Sequence, residues 1–298
     1  MLTVKSQKIF QLISLCAVFI CTLLVYSPIT YATSITQEYV KIPAKFDDGV
    51  YHLEAMIYRP NGAGVYPLIV INHGRSTKPA ERKIPTLVNY YKTQAETLAQ
   101  KGFAVVVAVR RGYGNSEGSD VEYSTASTIY QAGLQGAKDV TEIVRFMQSQ
   151  PYIDKNRVIL IGQSCGGLVS VASGTKDIPG LIGVVNFAGG LRHPSTANPS
   201  IWTTADETYL VKTYHSYGQN AKVPMLWIYT ENDHFFPSDL SPKMYDAFIK
   251  GGGTGKFYLL PPFGKDGHTF FPNKSTIPTW MPLFDEFLKT LNVPTSNL

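Results

Sequence analysis

Cysteine is scarce in this chain: there are three in 298 residues, and Cys16 and Cys21 both fall within the first 32. Without that stretch only Cys165 remains, so the rest of the chain can form neither an internal disulfide nor a cysteine-built metal centre. Charge is sparse too. Charged residues make up 16% of the chain and hydrophobic residues 44%, which excludes a disordered chain and a coiled coil. The net charge of +5 is spread along the sequence with no Lys/Arg run dense enough for a nucleic-acid arm, so no nucleic-acid partner is expected. No His, Asp or Glu set has metal-ligand spacing, and the expected cofactor is none. Internal repeats, low-complexity linkers and a second domain are missing as well. At this length a single domain buries about three-quarters of its unfolded surface.

Hydrophobic residues are concentrated at the start of the chain. Lys5 and Lys8 precede a mostly apolar run from Ile9 to Tyr26, Ser27-Pro28 breaks it, and Thr30-Tyr31-Ala32 supplies the small residues read by a signal peptidase. The expectation is a signal peptide over 1–32 cleaved after Ala32, with a secreted or periplasmic product and no stable membrane insertion after cleavage. The run is close to bilayer length, so an uncleaved anchor is the alternative. Neither Cys16, after Ser14-Leu15, nor Cys21, after Phe19-Ile20, has the small residues that a lipoprotein cysteine needs.

Residues 33–298 then alternate between two patterns. Segments 39–42 and 51–58 read as half-exposed strands joined at the turn signal Asp47-Asp48-Gly49, an antiparallel start. Short continuous apolar runs at 67–72, 104–109, 158–161, 182–187 and 225–229 suit strands buried on both faces of a parallel sheet. Helical stretches are expected at 87–101, 129–148, 166–175 and 241–250, with a last strand at 257–260 and a final helix near 281–291. The predicted class is α/β, a mostly parallel central sheet with helices on both faces. Segment 191–223 interrupts the alternation and is expected to be a small cap insertion with a helix around 205–217. Its Trp202, Tyr209, Tyr214 and Tyr217 either pack the cap onto the sheet or line a substrate pocket.

Two serines sit in a G-x-S-x-G pattern, which alone is weak. Context separates them. Arg157-Val158-Ile159-Leu160-Ile161 runs straight into Gly162-Gln163-Ser164-Cys165-Gly166, and small apolar residues follow. A strand, a tight turn and a helix are what a nucleophile elbow requires, and bulky residues two positions either side of the serine would clash. Ser116 in Gly114-Asn115-Ser116-Glu117-Gly118 lies five residues past its strand and precedes Ser119-Asp120, so it reads as loop structure.

A serine hydroxyl needs a base, and the base needs an orienting acid. Three histidines follow Ser164 with room for an acid between: His215, His234 and His268. His268 lies just past the last strand, on the same sheet edge as the elbow, and is the expected base. Asp233, in the loop after strand 225–229, is the expected acid by chain order and position; Glu231, Asp239 and Asp266 are alternatives. The backbone N–H groups of Cys165, after the nucleophile, and of Arg75, in the Asn72-His73-Gly74-Arg75 loop, are the expected oxyanion donors. The Cys165 thiol reads as a buried filler, and His73 as a support for its loop. Phe235, Phe236, Phe270 and Phe271 flank acid and base, and would be either pocket wall or core.

Asn72-His73-Gly74, the run Arg110-Arg111-Gly112-Tyr113-Gly114-Asn115-Ser116-Glu117-Gly118, the Ser164 elbow, Asp233 and Gly267-His268 occur in the order of an α/β-hydrolase. With Asp139 on the helix ahead of the elbow, the chain resembles dienelactone-hydrolase-like and prolyl-oligopeptidase-like members from about residue 39 to 291. The resemblance implies a Ser-Asp-His hydrolase acting on a small-molecule ester or peptide-like substrate. Dienelactone hydrolases themselves use a cysteine where Ser164 stands, and oligopeptidases of the family carry an N-terminal propeller that this chain has no room for ahead of the third strand. The expected function is a secreted serine hydrolase that cleaves carboxylic esters through an acyl-enzyme. The alternatives are a peptidase, amidase or acyltransferase on the same triad, and a non-catalytic binding protein on the same fold. Gly251-Gly252-Gly253-Thr254-Gly255-Lys256 is not a phosphate loop: it follows a helix, precedes a strand, and has Phe257 where Ser or Thr belongs. Asn273-Lys274-Ser275 matches the glycosylation acceptor tripeptide.

Overall fold

The computed structural model describes residues 34–76, 78–122, 128–192 and 204–293. The expected signal segment 1–32 and Trp202 lie outside the described residues. Among the described residues no helix is long and apolar enough to cross a membrane.

Eight strands form one sheet in the order β1-β2-β4-β3-β5-β6-β7-β8. Strands β1 (Ile35–Phe46) and β2 (Gly49–Pro60) make an antiparallel hairpin in which Phe46 faces Gly49 across Asp47-Asp48. Gly49 takes φ +146°, a conformation that the missing Cβ makes accessible. Both strands run further than the segments read from the sequence, and in β1 the alternation continues through the buried Ala44 to Phe46. Strand β2 also pairs antiparallel with β4 (Ala104–Ala108). From there the sheet is parallel: β3 (Tyr66–Asn72) lies between β4 and β5 (Ile153–Gln163), followed by β6 (Leu181–Phe187), β7 (Met225–Thr230) and β8 (Gly255–Leu260).

The central strands carry continuous apolar runs because both faces are covered there. Leu68, Val70, Leu160, Val184 and Trp227 point into one core, lined by α2 (Ile129–Gln148), α3 (Cys165–Ser173), α4 (Thr204–Gly218) and α5 (Ser241–Lys250). Ile69, Ile71, Ile159, Ile161 and Val185 point into the other, lined by α1 (Lys92–Gln100) and α6 (Ile277–Thr290). On α2 the buried Ile129, Ala132, Val140, Ile143, Val144 and Met147 form one helical stripe. Helix α1 starts later than expected, because 85–89 winds as a 3-10 turn and Tyr91 leaves helical geometry at φ −107°, ψ 24°. Helix α6 starts earlier, at a Pro-containing first turn that suits helix initiation.

The segment expected as a cap behaves differently where it is described. Helix α4 joins β6 to β7 and lies in the same layer as α2 and α5, with Leu210, Tyr214 and Tyr217 wholly buried in the first core. Tyr214 packs edge-on against Trp227 of β7 at 4.8 Å. Those two tyrosines are therefore sheet packing, while Tyr209 is exposed. A helix that buries aromatics on the sheet is a crossover and not a lid; residues 193–203 of the expected cap lie outside the described residues.

Candidate active site

The C-terminal ends of β3, β5, β6, β7 and β8 open on one edge of the sheet, and the loops leaving them carry the predicted site. Strand β5 ends at Gln163, and Ser164 takes φ +58°, ψ −126° before α3 begins. A non-glycine residue there is strained, and the surroundings hold it. Ser164 N–H donates to Phe187 O at 3.0 Å, and its carbonyl accepts from Gly167 N at 2.9 Å and Gly190 N at 3.0 Å. A Cβ on Gly162 would lie 2.0 Å from Gly166 O, and one on Gly166 would lie 2.1 Å from Asn72 O. The two glycines of the pattern are thus required by backbone on backbone. Helix α3 follows with all nine residues buried, pressed on the sheet by its small side chains.

Beyond β7, the Asp233 carboxylate is 1% exposed. It accepts from Phe235 N at 2.8 Å and Phe236 N at 3.0 Å, and meets His268 Nδ1 at 3.0 and 3.1 Å. The His268 ring therefore has its Nδ1–H bonded to carboxylate, leaving Nε2 as the acceptor. Of the alternative acids, Asp266 accepts from the backbone N–H of His268 at 3.0 Å and of His234 at 3.2 Å, Asp239 pairs at the surface with Lys243, and Glu231 is exposed. His234 is exposed beside Asp266, and His215 lies on α4, near whose end its carbonyl approaches Gly251. Ser164 and His268 line one cleft of about 460 Å³, together with Gly74, Arg75 and Cys165. Neither the Arg75 N–H nor the Cys165 N–H donates to another group among the described residues.

The loop that carries Arg75 is fixed from below. His73 is buried, with Nδ1 at 2.7 Å from Gly74 O and Nε2 accepting from Arg110 N at 3.1 Å, so it is the neutral support expected of it. Burial, then Arg110, hold its pKa at about 3. The Arg75 guanidinium bonds both Asp120 oxygens, at 2.7 and 2.6 Å, and the Tyr113 hydroxyl. Arg82 joins the same carboxylate at 3.2 Å. Behind the elbow, Arg110 pairs with Glu122, which also accepts from the Tyr113 hydroxyl at 2.8 Å and the Cys165 thiol at 3.3 Å. Burial, then the adjacent Glu122, push the thiol pKa well up, so Cys165 stays protonated and is no nucleophile. Ser116 is buried, donating to Val109 O at 2.6 Å and accepting from Glu54 N at 2.9 Å, a loop fastener as expected.

Several site residues had no place in the sequence reading. Arg82 and Tyr91 from the β3–α1 connection, Asp120 and Glu122 from the loop after β4, and Gln163 at the end of β5 gather there and share no local pattern. Gln163 alone carried a signal, as the residue before the elbow serine. The cleft wall was also missed. It comes from the connection between β3 and α1, where the turns Pro79–Lys83 and Pro85–Asn89 present Ile84, Leu87 and Tyr90. Phe235 and Phe236 form the facing wall, with ring centroids 4.4 and 5.6 Å from the His268 ring. Phe271 stacks on Phe187 at 4.2 Å in the second core, and Phe270 is buried there too, which settles these two as packing. Among the described residues no group of three or more His, Cys, Asp or Glu is placed to hold a metal ion.

Comparison with known proteins agrees with this fold. The model of the dienelactone hydrolase family matches residues 53–280. The chain is 27% identical over 172 residues to protein bem46 of Schizosaccharomyces pombe, covering 53% of this chain and 50% of that protein. It is 24% identical over 160 residues to the quorum-quenching protein AidA of Acinetobacter baumannii, covering 53% and 48%. The chain thus spans about half the length of these curated relatives. An esterase of Pyrococcus furiosus superposes with a TM-score of 0.60 at 16% identity, over 87% of this chain and 92% of that one, a likeness of fold.

Proposed function

The chain belongs to the dienelactone hydrolase family, and from that premise we propose that this hydrolase is a serine esterase working through an acyl-enzyme. Ser164 Oγ attacks the ester carbonyl carbon while its proton passes to His268 Nε2. Asp233 keeps the Nδ1–H tautomer and stabilises the imidazolium. The carbonyl electrons move onto oxygen, where the N–H groups of Arg75 and Cys165 receive the charge. Collapse breaks the C–O bond, and the leaving alkoxide takes the proton from His268. Water then repeats the sequence on the acyl-serine, releasing the acid.

The observation that supports this reading most is the Asp233–His268 pair at 3.0 Å, opening on the same cleft as a serine held at φ +58°. Two undonated N–H groups at that cleft fit the oxyanion role. Leu87, Tyr90, Phe235 and Phe236 in the cleft walls suit an apolar acyl or aryl group, and Arg75, Lys78, Arg82 and Arg192 stand among them. Hydrolysis of p-nitrophenyl esters from acetate to palmitate, with Ser164→Ala in parallel, tests it. Turnover in wild type, a loss of about a thousandfold or more in the variant, and fluorophosphonate labelling confined to Ser164 are expected. A wild-type protein that neither turns over esters nor labels would end the reading; labelling with turnover of peptides alone would move it to the peptidases.

Residues 1–32 are proposed to direct export and to be removed after Ala32. N-terminal sequencing of the protein recovered outside the cytoplasm would read Thr33 first, and an intact Met1 start on a membrane-bound product would show an anchor instead.

A further inference from the structure

Three loops meet at the candidate site, and they are joined by one run of hydrogen bonds. Gly74 N–H points at the Tyr91 hydroxyl at 3.4 Å. The Tyr91 hydroxyl donates to Gln163 Oε1 at 2.9 Å. Gln163 Nε2 donates to the His268 carbonyl oxygen at 3.0 Å. The run starts next to Arg75, passes beside Ser164 and ends on the backbone of the histidine. Its members lie at the lining of the cleft, next to Arg75, Ser164 and His268.

Its direction is set by chemistry. A backbone N–H can only donate and a carbonyl can only accept, so the two ends fix the middle. Flipping the Gln163 amide would set its oxygen against the His268 carbonyl and lose that bond. Donation in one sense along the chain also lets each bond polarise the next. Tyr91 is wholly buried, and its ring is packed against Phe271 at 5.4 Å, so the hydroxyl has no other place to turn. Gln163 is 6% exposed. Gly74 admits it: a Cβ there would lie 2.9 Å from Gln163 Oε1.

Resting on the serine-esterase reading, we propose that Tyr91 and Gln163 are positioning residues, one device that sets the register between the oxyanion loop, the nucleophile turn and the His268 loop. Asp233 orients the imidazole ring, and Asp266 holds the backbone N–H of His268. The Gln163 amide supplies the remaining restraint, on its carbonyl. Release of that carbonyl lets Nε2 drift from the serine, and release of Gly74 lets the Arg75 N–H drift from the developing oxyanion. Both displacements act on the transition state and leave ground-state binding alone.

The test is a double-mutant cycle with Tyr91→Phe and Gln163→Met, followed on a p-nitrophenyl ester with kcat and KM separated. Each single variant is expected to lose about 10- to 100-fold in kcat, as sub-ångström misplacement does, with KM within about twofold. The double variant is expected to lose no more than the worse single one, because either change breaks the same chain. Equal melting temperatures for Tyr91→Phe and wild type would show that the ring still packs; if either variant fails to fold, the other with Gln163→Glu completes the comparison, since a carboxylate still accepts from Tyr91 but cannot donate to His268. Losses that multiply in the double variant, or that appear in KM with kcat unchanged, would overturn the proposal. The serine-esterase reading fails separately, through a wild-type protein that neither hydrolyses esters nor labels at Ser164.

Discussion

Arg110 and Glu122 form an ion pair withdrawn from solvent, their side chains 0% and 1% exposed, directly behind the nucleophile turn. Burial pushes the Glu122 carboxyl up, but Arg110, His73 and Arg75 outweigh it and hold the pKa at about 2. Removing one partner of such a pair strands the other charge. Glu122→Gln is expected to cost about 3–5 kcal/mol in urea unfolding at neutral pH. The pH dependence carries the same sign. Because the folded pKa lies below the ordinary 4.5, the contribution is complete above 4.5 and is lost as pH falls towards 2. Stability of the wild type should fall across that window, and the fall should be shallower in Glu122→Gln.

Strain at the elbow predicts a difference between two inactive variants. Ser164→Ala keeps a Cβ at φ +58°, whereas Ser164→Gly relieves it. Both should abolish ester hydrolysis, but the glycine variant should be about 1 kcal/mol more stable than the alanine variant by denaturant unfolding. Equal stabilities would mean that the serine sits there without cost.

The two acids beside His268 should separate kinetically. Asp233→Asn puts an amide against Nδ1 and invites the wrong tautomer, so kcat should drop about 10³- to 10⁴-fold. Asp266→Asn keeps an oxygen that can accept from the His268 backbone N–H, and its loss should stay below about tenfold. Steady-state rates on one ester decide between them.

The phenylalanine pairs should divide between binding and stability. Phe271→Ala opens a cavity among Phe187, Tyr91 and Trp280 and should cost about 3–5 kcal/mol. Phe235→Ala empties part of the cleft wall; it should change the preferred acyl length and raise KM, with stability kept within about 1 kcal/mol.

Much of this molecule could be read from its residues because burial leaves a period. Strands β3 to β7 carry apolar runs covered on both faces, and Gly162-Gln163-Ser164-Cys165-Gly166 follows one of them without a gap. Chain order and position after a strand end pointed to Asp233 and His268, with Glu231, Asp239 and Asp266 as alternatives, and the structure brings Asp233 and His268 within 3.0 Å. Other features left no local trace. Tyr91 and Gln163 are 72 residues apart and meet through a hydroxyl and an amide. Glu122 meets Arg110 inside the molecule from a loop with no pattern around it. The long stretch before helix α4 breaks the alternation, so the sequence reads as a cap there, while Tyr214 and Tyr217 of that helix pack on the sheet. The turns over 79–89 have no helical or strand period, so nothing marked them as the cleft wall.

That wall has a consequence for how the molecule can change. The reacting groups stand on strand ends and are braced by buried charge, where almost any replacement is punished. What a substrate meets on its way in is largely the short connection of residues 78–90, whose Ile84 and Tyr90 are exposed and hold no part of the sheet together. Substitution at Ile84, Leu87 or Tyr90 is expected to alter which molecules are admitted, whereas Arg82 of the same connection shares the Asp120 carboxylate with Arg75 and Val88 is buried against Val109. Choice of substrate is thus open to change at a few exposed side chains, while Arg82 beside them stays tied to the groups that would do the chemistry.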